Sequence, residues 1–153
     1  MNREELNEIM RRHKAWVDGE DGGERADLHG AILQDADLQG ANLRHAILHD
    51  VDLRGAILQD ADLQGANFRR ADMQDADIDY ASWPLWCGSL KAYVDDRIAI
   101  QLLYHTLSVV QYSPYVSEEV KKALLSEENV RIANRFHRVG ECGEIKEWEE
   151  GTK

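Results

Sequence analysis

A five-residue period runs without interruption through residues 26–85 and gives twelve consecutive units. The first position of each unit is alanine except at Val51, and the third position is always apolar. An α-helix repeats every 3.6 residues and a β-strand every two residues, so neither keeps this pattern on one face over such a length. A coiled solenoid, in which each unit adds one side to the coil, does keep it. The period therefore predicts a β-solenoid.

The third positions of the units are expected to fill the interior of the coil. Leucine occupies the first eight of them, and four different apolar side chains occupy the last four. A fully buried leucine contributes about 1.5–3 kcal/mol, and the neighbouring alanines let the walls of the coil pack closely. The predicted structural core is Leu28, Leu33, Leu38, Leu43, Leu48, Leu53, Leu58, Leu63, Phe68, Met73, Ile78 and Trp83.

Residues 1–25 are predicted to form an N-terminal capping helix followed by a glycine-rich turn. Apolar side chains recur at helical spacing over residues 2–18, and Asn2 and Glu5 have the spacing of a capping box. The glycines of residues 18–23 then end the helix. Because a solenoid leaves its first apolar layer open, we expect this helix to cover that layer.

Residues 86–153 lose the period and are predicted to form a C-terminal cap, a bundle of about three α-helices. Apolar residues recur at helical spacing over residues 95–111, and Ser117 and Ser126 each precede two glutamates, as helix N-caps do. The larger core side chains, such as Phe68 and Trp83, lie in the last units of the coil. We therefore expect the bundle to seal that end.

The chain is acidic, with a formal net charge of −11, and residues 26–85 contribute −7 of it through four basic and eleven acidic residues. Direct binding to nucleic acid or to an anionic membrane needs a basic surface, so neither is expected. No apolar run approaches the length of a membrane span or of a signal sequence, which predicts a cytoplasmic protein. A basic partner, or none, fits this charge better, and the expected protein partner is of unknown identity.

Catalytic motifs are absent from the sequence. It contains no glycine-rich phosphate loop, no nucleophile elbow and no His-Glu-x-x-His helix motif. The aspartates of the coil are regularly spaced, whereas paired catalytic carboxylates need a cleft that perturbs their pKa values. The sequence therefore predicts a non-enzymatic protein without catalytic residues and without a cofactor.

One set of metal-ligand types occurs in the C-terminal segment. Two thiols and two imidazoles suit tetrahedral zinc, so a small structural metal site is an alternative. The spacing matches no zinc knuckle, and the simpler interpretation is that these side chains pack or form hydrogen bonds. The candidates are Cys87, His105, His137 and Cys142.

The period resembles that of the pentapeptide repeat proteins. The segments 13–16, 22–28, 84–90 and 133–137 also resemble small bacterial and phage members with helical caps, a group whose likeness implies no particular activity. The family fold is a right-handed quadrilateral β-helix, in which each unit forms one side and four units make one turn. The resemblance thus implies about three turns, with residues twenty apart stacked in columns such as His29, His49 and Arg69.

The resemblance also implies an alternative function. The best understood family members bind DNA gyrase, a type II topoisomerase, by imitating duplex DNA with a long acidic dimeric rod. Three turns at the strand spacing of about 4.8 Å give a rod of only roughly 15 Å, which spans about nine charges of duplex DNA. Four arginines also interrupt the acidic surface of the coil. A structural or protein-interaction module is therefore our leading hypothesis, with the gyrase-binding DNA mimic as the alternative.

Overall fold

The computed structural model describes residues 1–83, 92–136 and 139–147, without the side chains of Glu141 and Cys142. The chain divides into two compact units, Met1–Asp95 and Asp96–Lys153. Each is described below by itself.

The first unit begins with helix α1, Arg3–Asp18. Asn2 is its N-cap, and a full capping box is present: the Asn2 side chain accepts the Glu5 amide at 2.9 Å, and the Glu5 carboxylate accepts the Asn2 amide at 3.0 Å. Gly19 ends the helix with φ of 73°, the left-handed conformation that glycine adopts without strain. The helix is thus defined at both ends by local sequence.

The chain folds back after α1 so that the helix packs on the start of the coil. Gly23 lies against the backbone of Trp16, so closely that a Cβ atom at position 23 would overlap it. The amide of Glu24 donates to the Arg12 carbonyl at 3.1 Å, and the Arg12 guanidinium pairs with the Glu24 carboxylate at 3.0 Å. The predicted covering helix therefore has direct contacts with the residues that lead into the first repeat.

Parallel bridges join residues twenty apart along the coil. The described residues contain eight such bridges, which start at Asp27↔Ile47 and end at Asp62↔Ser82. At each bridge the backbone bonds run to the adjacent turn; for example, the Leu28 amide donates to the Ile47 carbonyl at 2.8 Å, and the Ile47 amide donates to the Ala26 carbonyl at 2.9 Å. Four five-residue units therefore complete one turn, as the resemblance implied.

Each corner of the coil is a tight turn. The first-position amide of one unit donates to the third-position carbonyl of the preceding unit, as from Ala31 to Leu28 at 3.0 Å. The fifth-position residue between them has positive φ, from 56° at Asp35 to 71° at Gly65. Positive φ at the third residue of a four-residue turn is the requirement of a type II turn, which explains why glycine and aspartate are frequent there.

The interior of the coil is closely filled. The eleven third-position residues from Leu28 to Ile78 are at most 4% exposed. Trp83, the twelfth, is half-buried and stacks on Phe68 with a ring-centroid distance of 5.9 Å and an interplanar angle of 7°. Two of the larger third-position side chains, Phe68 and Trp83, are therefore in contact in the last turn.

Side-chain acceptors replace backbone acceptors where the regular ladder ends. The amide of Leu63 donates to the hydroxyl of Ser82 at 2.9 Å, and that hydroxyl donates to the Asp62 carboxylate at 2.8 Å. The amide of Asp75 likewise donates to the Asp95 carboxylate at 2.7 Å. At these two sites the ladder ends on a side chain and not on a further backbone carbonyl.

Parallel pairing also continues beyond residue 85, the predicted end of the coil. Tyr93 bridges Asp72, a spacing of 21 residues where the regular coil has 20. Its carbonyl accepts the Met73 amide at 2.8 Å, and its amide donates to the Ala71 carbonyl at 2.7 Å. One side of the coil therefore receives an additional bridge from a residue outside the pentapeptide pattern.

Four helices are present in the described part of the second unit: α2 (Asp96–Tyr112), α3 (Glu118–Leu124), α4 (Glu127–Ala133) and the single-turn α5 (Val139–Cys142). Helix α2 contacts both α3 and α4. A non-repeating core holds them together, formed by Tyr104, Leu107, Val110, Leu125, Val130, Ala133, Phe136 and Ile145. Ser117 caps α3 through a 3.4 Å bond from the Val120 amide, whereas the Ser126 side chain makes no cap bond.

Candidate functional site

The acidic second positions of the repeats have a structural role. In eight units the side chain at this position accepts the backbone amide two residues further on, at 3.1–3.2 Å. Such Asx turns are a local alternative acceptor that aspartate and asparagine supply. The acceptors are Asp27, Asp37, Asn42, Asp52, Asp62, Asn67, Asp72 and Asp77. Much of the regular acidity of the coil is therefore explained by its corners.

Arginines on the coil surface pair with several of these carboxylates. The Arg54 guanidinium binds Asp52 through two bonds of 2.7 and 2.9 Å and lies 3.8 Å from Asp72. Arg44 lies 3.8 Å from Asp62. The hydrogen bond from Arg54 holds the pKa of Asp52 below its usual value. The outer face is therefore a mixed-charge surface and not a uniform acidic one.

One group of titratable side chains stands apart on the side of the coil formed by units 26–30, 46–50 and 66–70. The rings of His29 and His49 are stacked, with centroids 3.8 Å apart and an interplanar angle of 28°. The Asp50 Oδ2 atom lies 3.0 Å from His49 Nδ1 and 3.9 Å from His29 Nδ1. We term His29, His49 and Asp50 the His–Asp cluster.

Arg70 completes the surroundings of the His–Asp cluster. Its Nε and Nη2 atoms lie 2.7 and 2.5 Å from Asp50 Oδ1, the oxygen that does not face His49 Nδ1. The hydrogen bond with His49, followed by that with Arg70, lowers the pKa of Asp50. Asp50 is therefore held as a carboxylate with one oxygen directed to each partner.

His13 is the buried polar side chain of α1. Its ring is completely inaccessible to solvent, and its Nδ1 atom accepts the backbone amide of Ala26 at 3.0 Å. Its Nε2 atom has no hydrogen-bond partner among the described residues. Burial lowers the pKa of His13, although the Arg44 backbone opposes the shift. The neutral ring thus joins α1 to the first residue of the coil.

A shallow cleft of about 520 Å³ lies beside this joint. Trp16, Arg25, His45 and Gly65 line it. The Trp16 and His45 rings meet edge to face, with centroids 6.5 Å apart, and Arg25 Nε donates to the His45 carbonyl at 2.5 Å. These contacts connect α1 with the first turn. The residues that line the cleft include no pair of carboxylates.

The helical unit has a different kind of surface feature. Val109, Tyr112 and Tyr115 are 69%, 74% and 95% exposed and lie within seven residues at the end of α2. Val109 and Tyr112 are three residues apart, so they lie on the same face of the helix. We term these three residues the aromatic patch.

Of the four predicted metal candidates, the structure describes the side chain of His105 alone. Cys87 and His137 lie outside the described residues, and the side chain of Cys142 is not described. His105 is exposed on α2, where its ring meets the edges of Tyr104 and Phe136 at centroid distances of 5.6 and 5.4 Å. The C-terminal metal site therefore stays a prediction.

The His–Asp cluster was not singled out as a site by the sequence reasoning. The twenty-residue register does place His29 above His49 in one column, and that signal was available. The approach of Asp50 to the two histidines could not be predicted from the sequence, because it depends on the positive φ of 59° at this corner and on the bond to Arg70.

Among the described helices, none has the length and apolarity that a membrane span requires.

Comparison with known proteins gives one family match. The family model named pentapeptide repeats (8 copies) matches two overlapping segments, residues 24–60 and 46–82. No curated protein sequence matches the chain.

Solved structures of pentapeptide repeat proteins also match the chain. Rfr23 from the cyanobacterium Cyanothece 51142 is 26% identical, with 45% of this chain and 50% of that chain covered and a TM-score of 0.30. HetL, a protein involved in heterocyst differentiation regulation from the cyanobacterium Nostoc sp. strain PCC 7120, is 24% identical. The match covers 51% of this chain and 41% of HetL, with a TM-score of 0.33.

QnrB1, a plasmid-mediated fluoroquinolone resistance protein, is 14% identical to this chain. The match covers 53% of this chain and 41% of QnrB1, with a TM-score of 0.29. The chain thus spans about half or less of the length of these solved structures. The repeat period, the bridges at twenty-residue spacing and the family match agree, and they identify residues 24–82 as pentapeptide repeats.

Proposed function

We propose that the protein is a non-enzymatic protein-interaction module in which the helical unit presents the binding surface. The observation that carries this proposal is the aromatic patch. Tyrosine is enriched at the energetically dominant positions of protein interfaces, since its ring buries a large area and its hydroxyl stays available for a hydrogen bond. A partner that covers Val109, Tyr112 and Tyr115 would remove this apolar surface from water.

The distribution of exposure along α2 supports this assignment. Ile98, Gln101, Tyr104, Leu107 and Val110 recur every three residues and form the buried face of the helix. Val109 and Tyr112 lie off this face and are more than two-thirds exposed. The helix therefore has one apolar face that serves the core of its own unit and a second apolar surface that the fold of that unit does not need.

The coil supports a structural role better than a catalytic one. Its backbone groups pair between turns, its second-position carboxylates accept backbone amides, and several of its arginines are in ion pairs. General acid and base catalysis needs groups that are free to exchange protons with a substrate held in a cleft. In this proposal the coil, of about three turns with α1 at one end, is a rigid support. Closure of its other end by the helical bundle stays a prediction.

The alternative is an acidic DNA mimic that binds a type II topoisomerase such as gyrase. The net charge of −7 over residues 26–85 supports it. Two observations oppose it: Asp50, Asp52 and Asp62 lie beside arginines, and the coil is too short to present more than about nine duplex charges. We therefore rank the mimic second.

Affinity capture with surface variants tests the proposal. The purified full chain serves as bait in a bacterial lysate, at low and high salt, beside a Val109→Ser, Tyr112→Ser double variant. Ile32→Ser is the matched control, because Ile32 is an apolar side chain of the coil that is 65% exposed. Circular dichroism of each bait establishes that it is folded.

We expect a partner that the wild type and Ile32→Ser retain at high salt and that the double variant loses. Retention by the double variant would contradict the role of the aromatic patch. Capture of gyrase subunits that decreases at high salt and is the same for the wild type and the double variant would favour the mimic, because its contacts are electrostatic. Equal capture by all three baits at both salt concentrations would exclude the aromatic patch as the binding surface and would exclude the mimic, whose contacts are sensitive to salt.

A further inference from the structure

We propose that His29, His49 and Asp50 bind one divalent transition-metal ion, such as Zn²⁺, on the surface of the coil. The site is independent of the proposed protein-interaction surface, which belongs to the other unit. It is also distinct from the predicted C-terminal set of cysteines and histidines.

The geometry of the cluster supports a three-ligand site. One ligand atom from each residue lies within 4.8 Å of the other two, the single such group among the described residues. The carboxylate oxygen lies 3.0 and 3.9 Å from the two Nδ1 atoms. Ligands 2.0–2.2 Å from a tetrahedral zinc ion are roughly 3.3–3.6 Å apart, so the two observed oxygen-to-nitrogen distances bracket the required separation.

The coil itself brings the ligands together. His29 and His49 occupy the fourth position of units that stack directly, and backbone bonds fix that register: the Gly30 amide donates to the His49 carbonyl at 3.1 Å. The two rings are therefore adjacent without an ion, with 54% and 35% of their side chains exposed. The two rings are thus positioned before a metal binds, although ligation through His29 Nδ1 would replace its 3.1 Å contact with the His49 carbonyl.

Arg70 determines how Asp50 takes part. It holds Oδ1, so Oδ2 is the oxygen directed to the imidazoles. A ligating carboxylate is commonly fixed by such an outer partner. The positive charge of Arg70 also offsets part of the carboxylate charge, so the imidazoles must supply much of the affinity.

The ligand types select the class of ion. Imidazole nitrogen suits Zn²⁺, Cu²⁺ and Ni²⁺, whereas Mg²⁺ and Ca²⁺ prefer sites made of oxygen atoms. Two histidines and one carboxylate leave a fourth tetrahedral position for water. The site is therefore expected to distinguish Zn²⁺ from Mg²⁺.

Isothermal titration of the full chain with Zn²⁺ tests the proposal. Cysteine-free protein, with Cys87→Ser and Cys142→Ser, removes the thiols of the predicted C-terminal site. We expect one Zn²⁺ per chain in this background, no binding of Mg²⁺ under the same conditions, and a loss of affinity of at least about tenfold in His29→Gln and in His49→Gln. His105→Gln, at an exposed histidine of the helical unit, should bind as the parent does.

A second measurement keeps the test valid if a variant does not fold. In the cysteine-free parent, Zn²⁺ should protect His29 and His49, but not His105, from modification by diethyl pyrocarbonate, measured by peptide mass spectrometry. The proposal is overturned if the cysteine-free parent binds no Zn²⁺, if folded His29→Gln and His49→Gln bind it unchanged, or if Zn²⁺ protects neither histidine.

Discussion

The coil and the helical unit are stabilised by different kinds of interaction. In the coil, the same backbone bonds and the same third-position contacts recur from turn to turn, and the same Asx turn recurs in eight units. In the helical unit, individual side chains make single contacts: the Tyr104 hydroxyl donates to the Gly143 carbonyl at 2.5 Å, and Asn134 exchanges two bonds of 2.9 Å with the backbone of Ile145. The coil is thus stabilised by interactions that repeat, whereas the helical unit is stabilised by contacts that each depend on one particular side chain.

This difference has consequences for the two surfaces. A regular coil uses its polar side chains to complete its own corners, so an acidic sequence need not indicate an acidic binding site. A non-repeating bundle has no such constraint on its outer faces, and here it exposes Val109, Tyr112 and Tyr115. Composition alone is thus a poor guide to which unit carries recognition.

The largest effect is expected from Leu53→Asp. Leu53 is completely buried in the middle of the coil, so the variant loses a leucine and buries a charge. We expect destabilisation by roughly 5 kcal/mol or more, enough to unfold the coil. Urea unfolding followed by circular dichroism measures it, with Gln39→Asp at an exposed fourth position as the control.

Leu53→Asp also tests the independence of the units. Among the described residues, the buried core cluster of the helical unit is drawn from residues 104–145, with Ile100 and Leu103 packed against it. We therefore expect the helical signal of that unit to persist when the coil is unfolded. Simultaneous loss of both signals would show that the bundle depends on the coil.

A smaller effect is expected from alanine at the corner glycines. Gly40 and Gly65 both have positive φ, 63° and 71°, so alanine at either costs about 1 kcal/mol in backbone strain. At Gly65 a Cβ atom would also overlap the His45 ring, whereas Gly40 faces open space. We expect a total loss of roughly 2 kcal/mol for Gly65→Ala, measured by thermal unfolding. Equal losses would mean that the His45 ring moves aside without cost.

Acidification should weaken the attachment of α1. Burial lowers the pKa of His13 below the ordinary value of 6.5, so the unfolded chain takes up the proton first as the pH falls. Stability present above about pH 6.5 is therefore lost below it. Urea unfolding between pH 7.5 and pH 5 should show this loss in the wild type and in His29→Gln, and a weaker pH dependence in His13→Gln. An unchanged pH dependence in His13→Gln would exclude His13 as its source.

The smallest expected change is a gain of stability. Ile32 occupies a second position where most units have aspartate or asparagine, and it cannot accept the amide two residues further on. Ile32→Asn supplies that acceptor at an exposed site and should stabilise the coil by about 0.5–1 kcal/mol. Thermal unfolding beside Ile32→Ala separates the new hydrogen bond from the loss of the apolar side chain.

The sequence predicted the coil because its period repeats over twelve units and admits one architecture. It did not predict the 21-residue spacing from Asp72 to Tyr93, since Tyr93 lies where the pattern has already ended. It also predicted the starts of α3 and α4 from Ser117 and Ser126, each followed by two glutamates, but it did not predict the single-turn α5. The His–Asp cluster depends on the side-chain rotamer of Asp50 and on its contact with Arg70, and the five-residue period specifies neither.

The side chains that end the ladder have a consequence for self-association. An open end of a parallel ladder presents unpaired amides and carbonyls, to which another chain can add as a further turn. Here the Ser82 hydroxyl and the Asp95 carboxylate already accept the amides of Leu63 and Asp75. Two of the contacts that an incoming strand would require are therefore occupied. A further turn could therefore add at these positions only by displacing the Ser82 and Asp95 side chains.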